Sequence, residues 1–154
     1  MKIKNLAGIF FMCFFLSFLI GAPGPVHGME KVKIGVIAPL TGAMASSGKE
    51  LVTGAEVAAD RINGAGGLNI GGGKYQIEIV ALDDQFKPDL TVTAVRRMLG
   101  SGVKMITTLG TGPSMAALEL ADKEGFLLLA VSTAPATTAK GVKLVVRIPG
   151  TSDY

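Results

Sequence analysis

Apolar residues are grouped along this chain in two alternating patterns. Residues 32–38 form an almost continuous apolar run that ends before Pro39, which is typical of a strand buried on both faces of a parallel sheet. Over residues 49–63 the apolar positions instead recur every three or four residues, and charged residues take the other faces. This spacing predicts an amphipathic helix with an inner stripe made of Leu51, Val52, Ala55, Ala58, Ala59 and Ile62.

The rest of the chain repeats this alternation of strand and helix. Further strands are predicted at residues 75–82, 103–109, 126–131 and 143–148, and further helices at residues 88–100 and 113–124. The three glycines at 71–73 predict a turn before the second strand. Strands that alternate with helices are typical of βαβ units, whose right-handed crossovers give a parallel sheet covered on both faces. The predicted fold class is therefore α/β, a doubly wound parallel sheet.

In sheets of this kind, ligands bind outside the carboxyl ends of the strands, where the strand order reverses. The corresponding loops cover residues 39–48, 83–84, 110–114 and 132–135, and three of the four are rich in hydroxyl groups. Short hydroxyl side chains and free N–H groups at a helix start, as at Thr111 and Gly112, favour a carboxylate or a phosphate. The hydroxyl candidates are Thr41, Ser46, Ser47, Thr111, Ser114, Ser132 and Thr133, and the alternative role for each of them is helix capping.

The first 28 residues have the three-part pattern of a secretory signal peptide. A positively charged start precedes an apolar run at residues 6–20, and compact residues precede the expected cleavage point after Gly28. Cleavage would leave residues 29–154 as the mature chain and predicts a periplasmic location. An uncleaved membrane anchor is the alternative, but a span needs about 20 apolar residues and this run is shorter.

Composition removes several classes of function. The single cysteine, Cys13, and the single histidine, His27, both lie in the predicted signal peptide. Disulfides, Cys/His zinc sites and His-based catalysis are therefore not expected in the mature chain, and no cofactor is expected. Basic and acidic residues nearly balance after cleavage, and the pair Arg96-Arg97 is the one basic cluster. Nucleic acid is therefore not an expected partner.

Two motifs would suit an enzyme, and both have another interpretation. Residues 110–112, Gly-Thr-Gly, resemble the start of a dinucleotide fingerprint, but the third glycine would fall at Met115. The next predicted strand also ends without the acidic residue that would hold a ribose. Asp83-Asp84 is interpreted as a turn and a helix cap rather than as an acid–base pair or a metal site.

Three segments of the mature chain carry a family resemblance. They are IGVIAPLTGAMASSGKELVTGAEVAADRINGAGGLNIGG, IEIVALDDQFKP and STAPATTAKGVKLVVRIPGTSDY. Together they resemble the amino-terminal lobe of periplasmic leucine/isoleucine/valine-type binding proteins, the type I solute receptors that feed ABC importers. The resemblance covers essentially the whole mature chain, and the PLTG, TGAE and DD…P pieces are its most specific parts.

Members of that family have two lobes joined by a hinge, and they enclose an amino acid between the lobes. On this lobe, the resemblance implies that the ligand's carboxylate and ammonium groups are held by two loops. One loop contains Thr111, and the other contains Ser132 and Thr133, with Val131 beside them.

The same resemblance places the loop of Ser46 and Ser47 beside the ligand's side chain, and Ser47 stands where branched-chain receptors tend to carry a tyrosine. Phe86 and Gly110 stand where some members place a disulfide. The chain ends at Tyr154, roughly where the family's first lobe hands over to its second. The carboxyl lobe is therefore expected to be missing from this chain.

The sequence thus predicts an exported solute-binding protein without catalytic activity. It would capture an amino acid or a similar small carboxylate, and its second partner would be the membrane permease of an ABC importer. A ligand-sensing receptor ectodomain with the same fold is the alternative from another class. An exported α/β enzyme is the third hypothesis, and it needs a cofactor fingerprint that the sequence lacks.

Overall fold

The computed structural model describes residues 29–139 and 141–148, so the predicted signal peptide lies outside the described residues. Six strands and four helices follow one another along the chain. The strands are β1 (Glu30–Ala38), β2 (Leu68–Ile70), β3 (Gly73–Asp83), β4 (Met105–Leu109), β5 (Leu127–Val131) and β6 (Val145–Ile148). The helices are α1 (Ala45–Gly64), α2 (Pro88–Gly100), α3 (Thr111–Glu124) and the short α4 (Ala136–Ala139).

All six strands belong to one sheet with the order β2-β3-β1-β4-β5-β6. The five longer strands run parallel, and β2 pairs antiparallel with β3 at the edge. The chain passes from β1 to β3 on one side and then returns across β1 to β4 on the other side. The strand order therefore reverses between β1 and β4, as in doubly wound sheets, and the predicted fold class is confirmed.

The hydrophobic core lies on the face of the sheet that carries α2 and α3. Ile37, Ile106 and Leu128 point from the sheet into this core, where they meet Val95 and Met98 of α2. Helix α3 adds Ala117, Leu118 and Ala121. A thick, well-packed layer on this side gives the strand ends beside α2 and α3 a rigid base.

The opposite face is only partly covered. Helix α1 packs there against β1 and β3. The side chains that β4, β5 and β6 direct to the same side have no helix packed over them among the described residues, and Val146 and Ile148 remain 49% and 43% exposed. We call this surface, formed by Met105, Leu127, Leu129, Val146 and Ile148, the bare face.

The predicted elements all occur, and their ends differ in places. Helix α1 begins at Ala45 rather than at residue 49, and α3 begins at Thr111 rather than at residue 113. The prediction that Ala58 lies on the inner stripe of α1 is wrong, because Ala58 is exposed and the stripe is centred on Ala59. Strand β2 and helix α4 were not predicted, since three and four residues are too short to show a period.

Candidate functional site

A crevice of about 350 Å³ opens at the carboxyl ends of the parallel strands, where the strand order reverses. A volume of this size lies within the range of small-molecule sites. Residues from the ends of β4 and β5 and from the starts of α1 and α3 meet in its wall. The lining residues are Met44, Ser47, Phe86, Leu109, Gly110, Thr111, Val131, Ser132 and Thr133.

Two hydroxyl groups from different strand ends meet in this wall. The Thr111 and Ser132 side-chain oxygens lie 3.1 Å apart, within hydrogen-bond distance. The Ser132 oxygen also accepts the N–H of Ala134, at 3.2 Å, so its own proton is free to point towards Thr111 or towards a bound group. Ser132 is only 3% exposed, and its hydroxyl is therefore held in one place by its surroundings.

Helix α3 starts at the crevice with unused backbone donors. Its N-cap is Gly110, which has no side chain and makes no side-chain cap, so the first N–H groups, at Thr111 and Gly112, have no acceptor inside the helix. Pro113 has no N–H, and the Ser114 N–H bonds to the Gly110 carbonyl oxygen at 3.0 Å. The N-terminal end of the helix dipole adds positive potential at the same point. This combination favours an anionic group.

The other wall of the crevice is apolar. It is formed by Met44, Phe86, Leu109 and Val131, and the nine lining residues include no charged side chain. An anion bound at the start of α3 would therefore have an apolar surface beside it. The arrangement suits a ligand that has a negative end and an apolar body.

Arg147 of β6 brings a positive charge close to the hydroxyl wall. Its Nη1 atom donates to the carbonyl oxygen of Thr133 at 3.3 Å and to that of Ser132 at 3.5 Å. The guanidinium group therefore fixes the loop after β5 and adds a favourable potential for an anion. Arg147 was not a predicted site residue, because only the pairing of β6 with β5 brings it to this loop.

Asp83 ties the loop after β1 to the end of β3. Its carboxylate accepts the Thr41 hydroxyl at 2.5 Å, the Leu40 N–H at 2.8 Å and the Gln85 N–H at 2.9 Å. The Thr41 hydroxyl lowers the pKa of Asp83 below its usual range. Burial opposes this effect, and the backbone N–H groups of Gln85, Leu40 and Thr41 lower the pKa further. Thr41, one of the hydroxyl candidates, therefore holds this loop in place through Asp83 and does not line the crevice.

Asp84 is fully buried and organises the turn after β3. It accepts the Phe86 N–H at 2.9 Å and the Thr91 hydroxyl at 2.8 Å. The predicted turn role of the pair is confirmed. The predicted capping role is wrong, because the N-cap of α2 is Lys87 and no side chain caps this helix.

The structure brings five of the seven predicted site residues to the crevice: Ser47, Thr111, Val131, Ser132 and Thr133. Ser46 and Gly112 are neighbours of lining residues and do not themselves line it. Ser114 is fully buried and pairs with Thr108 at 2.9 Å, so it is part of the packing. Capping is also not the role of the candidate hydroxyls at α1 and α3, because neither helix has a side-chain cap.

Four lining residues were not among the predicted site residues: Met44, Leu109, Phe86 and Gly110. Their positions beside strand ends were a usable signal, although apolar side chains are common there. Within the described part of the chain, no group of His, Cys, Asp and Glu side chains is arranged to hold a metal ion. None of the helices of residues 29–139 and 141–148 combines the length and apolar character that crossing a bilayer requires.

Residues 31–148, nearly all of the described chain, match a family model described as periplasmic binding protein. The chain belongs to the periplasmic binding protein family. Relatives include Leu/Ile/Val-binding protein homolog 3 of Brucella melitensis, 36% identical over 77% of this chain and 32% of the relative. The Leu/Ile/Val-binding protein of Escherichia coli K12 is 33% identical over 79% of this chain and 32% of the relative.

Solved structures of the family show the same fold. The branched-chain amino acid transporter substrate binding protein LivJ of Streptococcus pneumoniae, in complex with isoleucine, aligns with a TM-score of 0.66 and 28% identity, over 77% of this chain and 33% of that one. A solute binding protein of Rhodopseudomonas palustris, in complex with 3,4-dihydroxy benzoic acid, aligns with a TM-score of 0.63 and 26% identity, over 76% of this chain and 31% of that one. Both of these structures are, by name, substrate- or solute-binding proteins of transporters. The chain spans about a third of the length of the curated relatives it matches.

Proposed function

We propose that this chain is the amino-terminal lobe of an exported solute-binding protein that holds an amino acid or a similar small carboxylate. Residues 1–28 would be the signal peptide and residues 29–154 the lobe. The observation that carries the proposal is the paired hydroxyls of Thr111 and Ser132 at the N-terminal end of α3, inside a crevice at the reversal of strand order.

The chemistry of the crevice supports a carboxylate ligand. One carboxylate oxygen would accept the Thr111 hydroxyl and the other would accept free N–H groups at the start of α3, in the manner of other anions at helix ends. A hydrogen bond to a charged group is worth about 1.5–3 kcal/mol, so two or three such bonds would fix the ligand's orientation. Thr133, Val131 and Ser47 would surround the rest of the ligand.

An amino acid also carries an ammonium group, and the crevice lining offers it no carboxylate partner. Its counter-charge would come from the part of the protein that faces this lobe, since the matched relatives are about three times longer than the matched segment. Enclosure between two lobes would exclude water and strengthen each of these interactions. This lobe alone would then offer the ammonium group uncharged oxygen acceptors from the loops of Thr111 and Ser132, without a counter-charge.

The names of the relatives guide the choice of ligand. Leucine, isoleucine and valine are bound by the Escherichia coli relative according to its name, and isoleucine is present in the Streptococcus pneumoniae structure. An aromatic carboxylate is present in the Rhodopseudomonas palustris structure. All of these ligands combine a carboxylate with a less polar body, which is the shape that the two walls of the crevice favour.

Delivery to a membrane permease of an ABC importer completes the proposal. The ligand would be captured in the periplasm, released at the permease and left chemically unchanged. A binding role without catalysis fits a lining that has no acid, base or nucleophile other than serine and threonine hydroxyls.

Calorimetric titration of the full-length protein tests the proposal. The wild type, Thr111→Val and Thr93→Val would each be titrated with leucine, isoleucine, phenylalanine and leucinamide. Thr111→Val keeps the branched shape and removes the hydroxyl, so we expect about 10- to 150-fold weaker binding of the carboxylates. Thr93 lies exposed on α2 with its hydroxyl bonded to the Asp89 carbonyl oxygen at 3.1 Å, and its variant serves as the matched control. Leucinamide bound as tightly as leucine, or an unchanged affinity in Thr111→Val, would contradict the proposed carboxylate site.

A further inference from the structure

The turn between β3 and α2 contains two consecutive residues with left-handed backbone conformations. Gln85 has φ 51° and Phe86 has φ 62°, and they are the non-glycine residues with positive φ in the described chain. For residues with a Cβ this conformation is unfavourable, and it persists only where the surroundings impose it. Two such residues in a row at the mouth of a crevice therefore call for a functional explanation.

Four hydrogen bonds impose this conformation. Asp83 accepts the Gln85 N–H and Asp84 accepts the Phe86 N–H, both at 2.9 Å. The Asp84 carbonyl oxygen accepts the Lys87 N–H at 2.8 Å, and the Thr91 hydroxyl holds the Asp84 carboxylate from the other side at 2.8 Å. Since Asp84 is fully buried, this support is rigid, and the turn gives the Phe86 side chain one defined direction.

That direction takes the Phe86 ring onto Gly110. A Cβ built on Gly110 would lie 2.6 Å from the ring's Cζ atom, so the ring rests on the glycine backbone itself. Gly110 also has φ 94°, which makes glycine the suitable residue for two separate reasons. The ring therefore lies beside the first turn of α3, next to the Thr111 donors.

The ring is not buried in the core. Phe86 is 39% exposed and lines the crevice, although a large apolar side chain in a strained turn would gain more from burial. Burial of the ring in the core therefore does not account for the strained turn. The strained turn is explained if the ring contacts the ligand.

We propose that Phe86 is a specificity-determining residue of this site, an apolar platform that selects carboxylates with a large apolar or flat body over short ones. The inference rests on the proposed function, since it takes the carboxylate at Thr111 as given. A ligand anchored there would extend past the ring, and apolar or offset-stacked contact with the ring would add affinity in proportion to the area covered. Met44 and Val131 would complete the apolar wall.

The test compares ligand preferences in the full-length protein. Wild type, Phe86→Leu, Phe86→Asn and Val57→Ala would be titrated with alanine, leucine, phenylalanine and benzoate. Phe86→Asn removes the apolar platform, and asparagine tolerates the left-handed conformation, so the turn should be kept. Val57 is 53% exposed on α1 and is not a lining residue, which makes its variant the control for loss of an exposed apolar group.

In Phe86→Asn we expect the preference for leucine and phenylalanine over alanine to fall about 10-fold, which corresponds to ~1.4 kcal/mol. Phe86→Leu should restore the preference for leucine and leave that for phenylalanine and benzoate reduced, while Val57→Ala keeps the wild-type pattern. An equal loss for all ligands in Phe86→Asn, or no loss, would overturn the specificity role and leave the carboxylate site standing. A wild type that binds none of the four carboxylates would overturn both.

Discussion

Gly48 of α1 lies directly against the backbone carbonyl group of Pro39. A Cβ built on Gly48 would overlap the Pro39 carbonyl oxygen and lie 2.6 Å from the carbonyl carbon. The first turn of α1 can therefore approach the end of β1 this closely only because residue 48 has no side chain. The contact fixes the start of the helix, and with it the position of the crevice residues Met44 and Ser47.

The first prediction compares two glycines of the same helix. Gly48→Ala should lower the free energy of unfolding by about 1–3 kcal/mol, since the overlap is with rigid backbone. Gly54→Ala is the control, because a Cβ there meets no atom within 4 Å, and alanine should stabilise the helix by about 0.5–1 kcal/mol. Urea unfolding of the two variants measures both values. Equal effects of the two substitutions would show that the approach to Pro39 is not limiting.

The start of α1 at Ala45 was not predictable from the local sequence pattern. The predicted helix began at residue 49 because periodic apolar residues begin there, whereas Ala45, Ser46, Ser47 and Gly48 give no periodic signal. Their helical state follows from the packing of Gly48 on Pro39, a tertiary contact that a local pattern does not contain. The wrong prediction for Ala58 has a similar cause, since the packing of the whole helix buries Ala59 and leaves Ala58 exposed.

The second prediction concerns Asn63, near the end of α1. Its side-chain amide donates to the Ile77 carbonyl oxygen at 2.9 Å and accepts the Ile77 N–H at 2.7 Å. The Asn63 side chain thereby replaces a strand partner for Ile77 of β3. Ile77 lies just beyond the residues of β3 that pair with β2. Asn63→Ala leaves both backbone groups without a partner, so we expect a loss of about 2–4 kcal/mol in unfolding free energy.

Asn69→Ala in β2 is the control for Asn63, because the Asn69 side chain is exposed. Its effect should stay within about 0.5 kcal/mol. Thermal or urea unfolding of both variants checks the difference. Similar losses in the two variants would mean that water replaces the Asn63 amide without cost.

The third prediction follows from the lowered pKa of Asp83. The Thr41 hydroxyl favours the ionised carboxylate in the folded state, so the unfolded chain binds a proton more readily than the folded one. The bond should therefore stabilise the fold fully above the unfolded pKa of about 3.9, and this contribution should disappear as the pH falls through the lower folded pKa.

Thr41→Val removes the hydroxyl and keeps the branched shape. We expect the variant to be less stable than the wild type at pH 6, with the difference shrinking as the pH falls below the unfolded pKa of about 3.9. Urea unfolding across this range provides the measurement. A difference that stays constant with pH would mean that the Thr41 hydroxyl acts through packing and not through the charge of Asp83.

The chemistry of the crevice was easier to predict than its shape. Hydroxyl-rich loops after parallel strands pointed to Thr111, Ser132 and Thr133, because strand ends of such a sheet share one edge. The orientation of Phe86 was not predictable in the same way. It depends on a left-handed turn that Asp83 and Asp84 impose, and such support is seen only once their hydrogen bonds are known.

The last prediction concerns the bare face of the sheet. Strand β6 is the last in the strand order of the described sheet, and its Val146 and Ile148 side chains are 49% and 43% exposed beside half-buried Leu129. Contiguous apolar surface next to an open strand edge promotes association. A polypeptide limited to residues 29–154 should therefore self-associate with rising concentration, which sedimentation velocity would detect.

The double variant Val146→Thr and Ile148→Thr keeps β-branched side chains and makes this face polar, so it should be mainly monomeric. Val57→Thr, which changes an exposed residue of α1, should associate like the unmodified polypeptide. Association that persists in the double variant would show that the contact lies elsewhere than at Val146 and Ile148. A polypeptide that is monomeric at every concentration would show that the bare face does not drive association.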